Sequence, residues 1–437
     1  MSLNCKENAI FLYLFSKQVN KTAIFFTYFT SMNNPKHTLP NGWSLKKLGE
    51  VFNITSGTTP SRAVNEYFEK GTHLWVKTTD LNNHFINDTQ EKVTDLAMKE
   101  TSLKKMPVGT VLVAMYGGFN QIGRTGLLQK EASVNQALSA ILPNYEVVEP
   151  YFLLNWLNCK IEDWKGFAAS SRKDPNITKS DVVSFPIILP PLPEQQKIAA
   201  ILGTWDTATQ TATALLAQLE KRKKGLMQQL LSPKTDWKEV RLGEIGSTFN
   251  GITGKSAEDF GRGKPYITYL NIFKNTIIDL SDVGLVDISQ TDNQNEVRYG
   301  DIFFTVSSET PDEVGMSSVF LRKIEGYYLN SFCFGFRLND FETLLPEFAG
   351  YLFRCREFRI EMYKLAQGST RFNISKGEVV KLKINLPPLA EQIRIAEILN
   401  AADAEIRETK AYLEQLKAQK RGLMQQLLTG KVRVKTT

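Results

Sequence analysis

Cysteine and histidine are scarce in this 437-residue chain, with four of the first and three of the second. Cys5, Cys159, Cys333 and Cys355 form no C-x-x-C pair and are too few for a disulfide framework, which suits a reducing cytosol. His37, His73 and His84 all fall in the first hundred residues, so a zinc site is not expected. No apolar run is long enough to span a bilayer. Ala9 to Phe15 and Thr22 to Phe29 are short, and the polar stretch from Ser16 to Lys21 separates them. A secretory signal would need a continuous apolar core and a small-residue cleavage site, and neither is evident. A cytoplasmic location is therefore expected.

Catalytic signatures are missing too. There is no G-x-x-x-x-G-K-[ST] phosphate loop and no G-x-G-x-x-G dinucleotide turn. The N-P-P-Y or D-P-P-F run that holds a flipped adenine in amino-methyltransferases is absent. Gly117, Gly118 and Gly123 read as turn glycines. Pro311-Asp312 with Glu313 lacks the trailing Glu-x-Lys of a nuclease metal site and reads as a loop. Neither a catalytic residue nor a metal ligand is assigned, and the chain is expected to bind no cofactor of its own.

What is present starts with charge. Lys and Arg total 53 against 46 Asp and Glu, a net +7 that favours a polyanionic partner. The length suggests two or three domains. Residues 1–40 form an N-terminal extension. Met32 precedes a polar stretch and is expected as the native start, making residues 1–31 a mis-called extension. The alternative is a helix packed on the first domain.

The chain is written twice, with a period of roughly 195 residues. Trp43-Ser-Leu-Lys-Lys-Leu-Gly-Glu-Val51 returns as Trp237-Lys-Glu-Val-Arg-Leu-Gly-Glu-Ile245, and Gly57 matches Gly251. Asn176-Ile-Thr-Lys-Ser-Asp-Val-Val183 returns as Asn373-Ile-Ser-Lys-Gly-Glu-Val-Val380. Leu189-Pro-Pro-Leu-Pro-Glu-Gln195 returns as Leu386-Pro-Pro-Leu-Ala-Glu-Gln392, and Gly225-Leu-Met-Gln-Gln-Leu-Leu231 is identical to Gly422-Leu-Met-Gln-Gln-Leu-Leu428.

Each tail reads as a long helix. Prolines lead into its first turn, Glu194 and Glu391 sit near its positive end, and Ser232-Pro233 and Gly430 stop it. Each spans about 36 residues, roughly 54 Å, which is long enough to call for a coiled coil. Spacing of four and three selects Ile198, Leu202, Trp205, Thr209, Ala212, Leu216, Leu219, Lys223, Leu226 and Leu230 in the first helix. In the second it selects Ile395, Leu399, Ala402, Ile406, Thr409, Leu413, Leu416, Lys420, Leu423 and Leu427. A parallel pair would put Lys223 and Lys420 in one layer. An antiparallel pair sets Lys223 opposite Ala402 and Lys420 opposite Trp205, so that each stem packs while its charge reaches water. The alternative is that each helix packs on its own block and never meets the other.

The blocks between, residues 41–188 and 235–385, read as mixed α and β. Val108 to Met115 and Tyr299 to Val306 read as buried strands after a glycine turn, and Tyr151 to Cys159 and Phe348 to Tyr363 as helices. Outside the frame the blocks diverge: one carries Trp75-Val-Lys-Thr-Thr-Asp-Leu81 where the other carries Tyr266-Ile-Thr-Tyr-Leu-Asn-Ile272. The expected fold is α+β: two tandem mixed α/β domains, joined and spaced by two long antiparallel coiled-coil helices in a pseudo-two-fold internal repeat. The expected boundaries are 41–190 and 233–387 for the domains, with helical spacers at 191–232 and 388–437.

The paired Leu-Pro-Pro-Leu-x-Glu-Gln, the helix ending in Gly-Leu-Met-Gln-Gln-Leu-Leu and the opening Trp-x-x-x-x-Leu-Gly-Glu resemble the specificity subunit of Type I restriction-modification systems, over residues 41–431. The resemblance implies two target recognition domains, each reading half of a split, asymmetric double-stranded DNA site. It implies two modification (methyltransferase) subunits docked on the helical regions, bringing S-adenosylmethionine to methylate adenine. It further implies restriction (endonuclease) subunits that use ATP and magnesium. This chain would then be non-catalytic. The rival readings are a coiled-coil adaptor that does not bind DNA, and the recognition part of a fused restriction-methylation enzyme.

Base edges are read by Arg, Lys, Asn, Gln, Ser and Thr, while phosphates take Lys, Arg and hydroxyls. In the first domain the candidates are Lys77, Thr78 and Thr79, then Tyr116, Asn120, Gln121 and Arg124, then Ser170, Ser171, Arg172 and Lys173. In the second they are Lys264, Tyr269 and Asn271, then Ser307, Ser308 and Glu309, then Ser369, Thr370 and Arg371. Arg172 and Arg371 stand out, each lying a few residues before an equivalent framework element.

Overall fold

The structure, a computed structural model, describes residues 39–118, 120–168, 176–289 and 291–435. The extension 1–31 and the candidates Ser170, Ser171, Arg172 and Lys173 lie outside the described residues. The described chain forms two compact units, residues 39–210 with 414–435, and residues 211–413. Among the described residues no helix is long and apolar enough to cross a membrane.

The first unit runs β1 (Ser44–Lys47), α1 (Leu48–Val51), β2 (Ile54–Ser56), β3 (His73–Val76), β4 (Phe85–Ile86), β5 (Lys92–Val93), α2 (Asp95–Glu100), β6 (Val111–Ala114), β7 (Thr125–Leu128), β8 (Ser133–Val134), β9 (Leu138–Ile141), α3 (Pro150–Cys159), α4 (Ile161–Ala168), α5 (Lys179–Ser184), β10 (Pro186–Leu189), and enters α6 (Leu192–Leu230). The second unit runs β11 (Lys238–Arg241), α7 (Leu242–Ile245), β12 (Gly246–Asn250), β13 (Phe260–Ile267), α8 (Tyr269–Lys274), β14 (Val283–Val286), β15 (Ile302–Thr305), β16 (Ser307–Ser308), β17 (Ser317–Val319), β18 (Tyr328–Leu329), β19 (Cys333–Leu338), α9 (Pro346–Leu352), α10 (Arg356–Leu365), β20 (Phe372–Asn373), α11 (Lys376–Val379), β21 (Lys383–Leu386) and α12 (Leu389–Leu427).

The sheets repeat. The order β2-β9-β6-β7-β4 in the first unit corresponds to β12-β19-β15-β17 in the second, β5-β3-β8 to β14-β13-β18, and the pair β1-β10 to β11-β21. The central strands β6 and β15 are buried at every position, as expected of apolar runs in mid-sheet. Gly57 and Gly251 are glycine for one reason. A Cβ there would stand 1.8 Å from the Val134 carbonyl oxygen in one unit and 2.0 Å from that of Asn330 in the other.

The duplicated motifs are the joints of this frame. The side-chain amide of Gln195 donates to the carbonyls of Val147 (3.0 Å) and Pro190 (2.8 Å) and accepts from the Glu149 N–H (3.1 Å). Gln392 does the same with Thr343 (2.9 Å), Pro387 (3.0 Å) and the Leu345 N–H (3.0 Å). Each glutamine therefore ties the proline turn at the start of a long helix to the segment that starts α3 or α9, and both are buried. The identical heptapeptides fill equivalent places. Met424, Leu427 and Leu428 pack in the core of the first unit with Trp43, Ile198 and Leu202. Met227, Leu230 and Leu231 pack in that of the second with Trp237, Ile395 and Leu399.

Both long helices have 39 residues, and every seam position is buried or half-buried. Each unit contains the N-terminal part of one helix and the C-terminal part of the other, running antiparallel. In the first unit Lys420 Nζ meets Asp206 Oδ1 at 2.5 Å; in the second Lys223 Nζ meets Asp403 Oδ1 at 2.5 Å. The lysines thus lie in the expected layers but do not reach for water. Each finds a carboxylate one residue beyond Trp205 or Ala402, because a half-buried ammonium gains more from a fixed partner than from partial hydration. Tyr151 donates its phenol to Asp206, and Tyr351 donates its phenol to Asp403.

One expected element is split. The helical pattern from Phe348 to Tyr363 resolves into α9 and α10, broken at 353–355. Arg354 turns inward there and donates to the carbonyls of Ser317, Ile272, Phe273 and Asn275 at 2.6–3.0 Å. Burial pushes its pKa down to about 10.

Candidate nucleic-acid interface

In each unit the turn after the central strand meets the repeated Asn-Ile-Thr/Ser-Lys element. The Ile177 N–H donates to Met115 O (3.0 Å), and the Ile374 N–H donates to Val306 O (3.0 Å). These equivalent bonds set Ile177 and Ile374 against the turns that follow β6 and β15.

In the second unit this convergence forms a cavity of about 380 Å³, lined by Tyr269, Leu270, Phe273, Ser307, Ser308, Glu309, Glu313, Phe332 and Arg371. Five candidates from the sequence, Tyr269, Ser307, Ser308, Glu309 and Arg371, thus meet in one place. Strand β16 pairs antiparallel with β20, Ser307 facing Asn373 and Ser308 facing Phe372. The Tyr269 hydroxyl donates to Ser307 O at 2.7 Å, and burial raises its phenol pKa. The Ser308 hydroxyl donates to Glu313 at 3.4 Å, and the Thr310 hydroxyl donates to the same carboxylate at 3.0 Å. Arg359 fastens the loop from behind, donating to the carbonyls of Asp312, Val314 and Gly315 at 2.6–2.7 Å. Among the described residues no group of His, Cys, Asp and Glu could hold a metal ion.

Four candidates of the second domain do not line the cavity: Ser369 and Thr370, both exposed, and Lys264 and Asn271. Lys264 is exposed on β13, paired in register with Val286. Asn271 is fully buried, which corrects its reading as a DNA contact. Its amide donates to the carbonyls of Asp279 and Asp282 (both 2.6 Å), and its oxygen accepts from Asn275 and the Asp279 N–H (both 3.0 Å). All its hydrogen-bonding capacity is spent bracing the turn. Asp80 occupies the matching place in the first unit and does the same work, accepting from the Lys77 N–H (2.8 Å) and the Gln90 N–H (3.0 Å).

In the first unit Thr78 and Thr79 lie on the short turn braced by Asp80, with Thr79 exposed. Lys77 is engaged. Its ammonium meets Glu91 at 2.9 Å and, with Arg62, holds that carboxyl below the usual range. Tyr116 and Asn120 are exposed, and Arg124 donates to Gln121 Oε1 at 3.0 Å. Gly117, Gly118 and Gly123 have positive φ and act as turn glycines. The sequence reading missed Phe332, which is 66% exposed at the cavity mouth. An Asx turn presents it, Asn330 Oδ1 accepting the Phe332 N–H at 2.8 Å. The Asn-Ser-Phe sequence was the available signal.

The family model of the Type I restriction modification DNA specificity domain matches the chain twice, over residues 40–221 and 234–418. The MjaVIII specificity subunit of a Type I restriction enzyme from Methanocaldococcus jannaschii is 25% identical over 419 residues, covering 91% of this chain and 94% of the relative. The EcoR124I/EcoR124II specificity subunit of Escherichia coli is 25% identical over 182 residues, or 41% of this chain and 45% of the relative. Two solved structures share the fold. A chain from a study of assembly and conformational transition in the type I R-M system aligns with TM-score 0.58 at 21% identity, over 90% of this chain and all of the other. The S subunit from M. genitalium aligns with TM-score 0.54 at 16% identity, over 92% of this chain and all of the other. Two matched domains, on a frame whose repeats are joined by the same buried glutamines, place the chain in the Type I restriction-modification specificity family, as a specificity subunit that carries the DNA specificity domain twice.

Proposed function

We propose that each unit reads one half of a split, asymmetric site in double-stranded DNA, and that the paired helices set the distance between the halves. The carrying observation is the contrast between frame and loops. Sheets, glutamine joints and seam lysines repeat, whereas the surfaces that converge on the cavity in the second unit have no residue-for-residue copy in the first. Two unlike readers on one frame suit an asymmetric target, where a homodimer would demand a palindrome.

Two modification subunits docked on the helical regions would bring S-adenosylmethionine and methylate adenine. Restriction subunits would add ATP- and magnesium-dependent cleavage. A cytoplasmic location accompanies that assembly. The full chain titrated against a fluorescent duplex at rising salt tests the core of this reading. Affinity should fall steeply, with log K linear in log salt, as cations displace phosphate counterions. Binding that is absent or indifferent to salt would favour the adaptor reading instead.

A further inference from the structure

Strand β16 ends at Ser308 and β20 begins at its partner Phe372, so Glu309 and Arg371 are the first residues beyond the last paired rung, one directly after Ser308 and the other directly before Phe372. Both line the cavity and both are exposed. Neighbouring polar groups are already committed: Tyr269 to Ser307 O, and Glu313 to Thr310 and Ser308. Among the described residues, neither the Glu309 carboxylate nor the Arg371 guanidinium has an ion pair or a side-chain hydrogen bond, although both line the same cavity at the ribbon end. A two-stranded ribbon is narrow enough to enter the major groove of B-DNA. Its end here offers a forked donor beside an acceptor, both free.

We infer that the second unit reads a C·G base pair at this ribbon end, Arg371 donating to guanine O6 and N7 and Glu309 accepting from the cytosine N4 amino group. The inference rests on the DNA-reading role proposed above and deepens it. The edge of a C·G pair carries two acceptors on the guanine and a donor on the cytosine, which complements this pair of side chains. Thymine would set its O4 acceptor and its methyl group against the carboxylate. Adenine would leave the guanidinium fork one acceptor short. A carboxylate beside phosphates costs affinity for DNA in general, so its presence at the ribbon end makes sense as a means of selecting a base.

The test is selection of bound duplexes from a randomised double-stranded library by the full chain, followed by sequencing. The wild-type chain should yield a split motif with a C·G pair in one half-site. Glu309→Gln should lower the preference for C·G at that single position by roughly tenfold, leaving the other half-site unchanged. Arg371→Lys, which replaces the fork by a point charge, should weaken the same position. A split motif that both variants leave unaltered, or a half-site that responds to Arg371→Lys but contains only A·T pairs, overturns the inference while DNA reading stands. No selected motif from the wild-type chain overturns the proposed function, and this inference with it.

Discussion

Substituting one member of a lysine–aspartate pair in the helix seam should reveal how the two helices are paired. Asp206 takes the Lys420 ammonium at 2.5 Å and the Tyr151 phenol, with His84 Nε2 at 3.9 Å; its side chain is 13% exposed and that of Lys420 19%. Removing one partner of a fully buried pair costs about 3–5 kcal/mol, and the partial exposure here lowers the expectation for Asp206→Leu to roughly 2–3 kcal/mol. Lys420→Leu should cost less, about 1–2 kcal/mol, because Asp206 keeps its phenol. The double substitution replaces the pair by an apolar layer within an apolar seam, so it should cost at least about 1 kcal/mol less than the sum of the singles. Calorimetric melting of the four proteins measures the cycle, each kcal/mol shifting the transition of a unit this size by about 2–4 °C. Asp403 and Lys223 should behave alike, while Asp206 and Lys223 should show no coupling. Strictly additive costs for Asp206 and Lys420 would refute the antiparallel register.

Gln195→Ala and Gln392→Ala each remove three buried hydrogen bonds at the start of a long helix, and denaturant titration should show each losing about 2–4 kcal/mol. Burial alone would raise the Glu194 carboxyl, but hydrogen bonds from Arg433, Trp43 and the Val434 N–H outweigh it and hold its pKa below the usual value. A depressed folded pKa gives stability that is present above the unfolded value and lost as pH falls through the folded one. Melting temperature against pH should therefore drop below about pH 4.5, with a shallower drop in Glu194→Gln. Arg371→Ala should lose about 1–3 kcal/mol on the cognate site and relax one position; a uniform loss across sequences, measured by competition binding, would make it a phosphate contact.

The frame was legible because its signals are periodic and local. Heptad spacing marks both helices, and lysines at equivalent positions imply antiparallel pairing. What the aspartates add follows from the register itself, which puts each one residue beyond the position read as facing the lysine. The break in α9–α10 was not legible, since residues 348–363 keep a helical pattern and it is the capture of Arg354 by four distant carbonyls that interrupts it. The candidate site was partly legible. Polar loop residues picked from three separate stretches, Tyr269, Ser307, Ser308, Glu309 and Arg371, line one cavity. Whether such a residue faces out or in depends on its tertiary partners, and so Asn271 became a brace and Lys77 an ion-pair member. Phe332 escaped notice because an apolar residue in a turn carries no polar signature.

The most direct measurement is a genome-wide map of adenine methylation in the source organism with this gene intact and deleted. Two unlike readers held on one frame predict that a single split motif, two different half-sites around an unspecified spacer, disappears on deletion and returns with the restored gene. A restored gene that brings back only a palindromic motif, or a deletion that leaves every methylated motif in place while the partner subunits are expressed, would contradict the account.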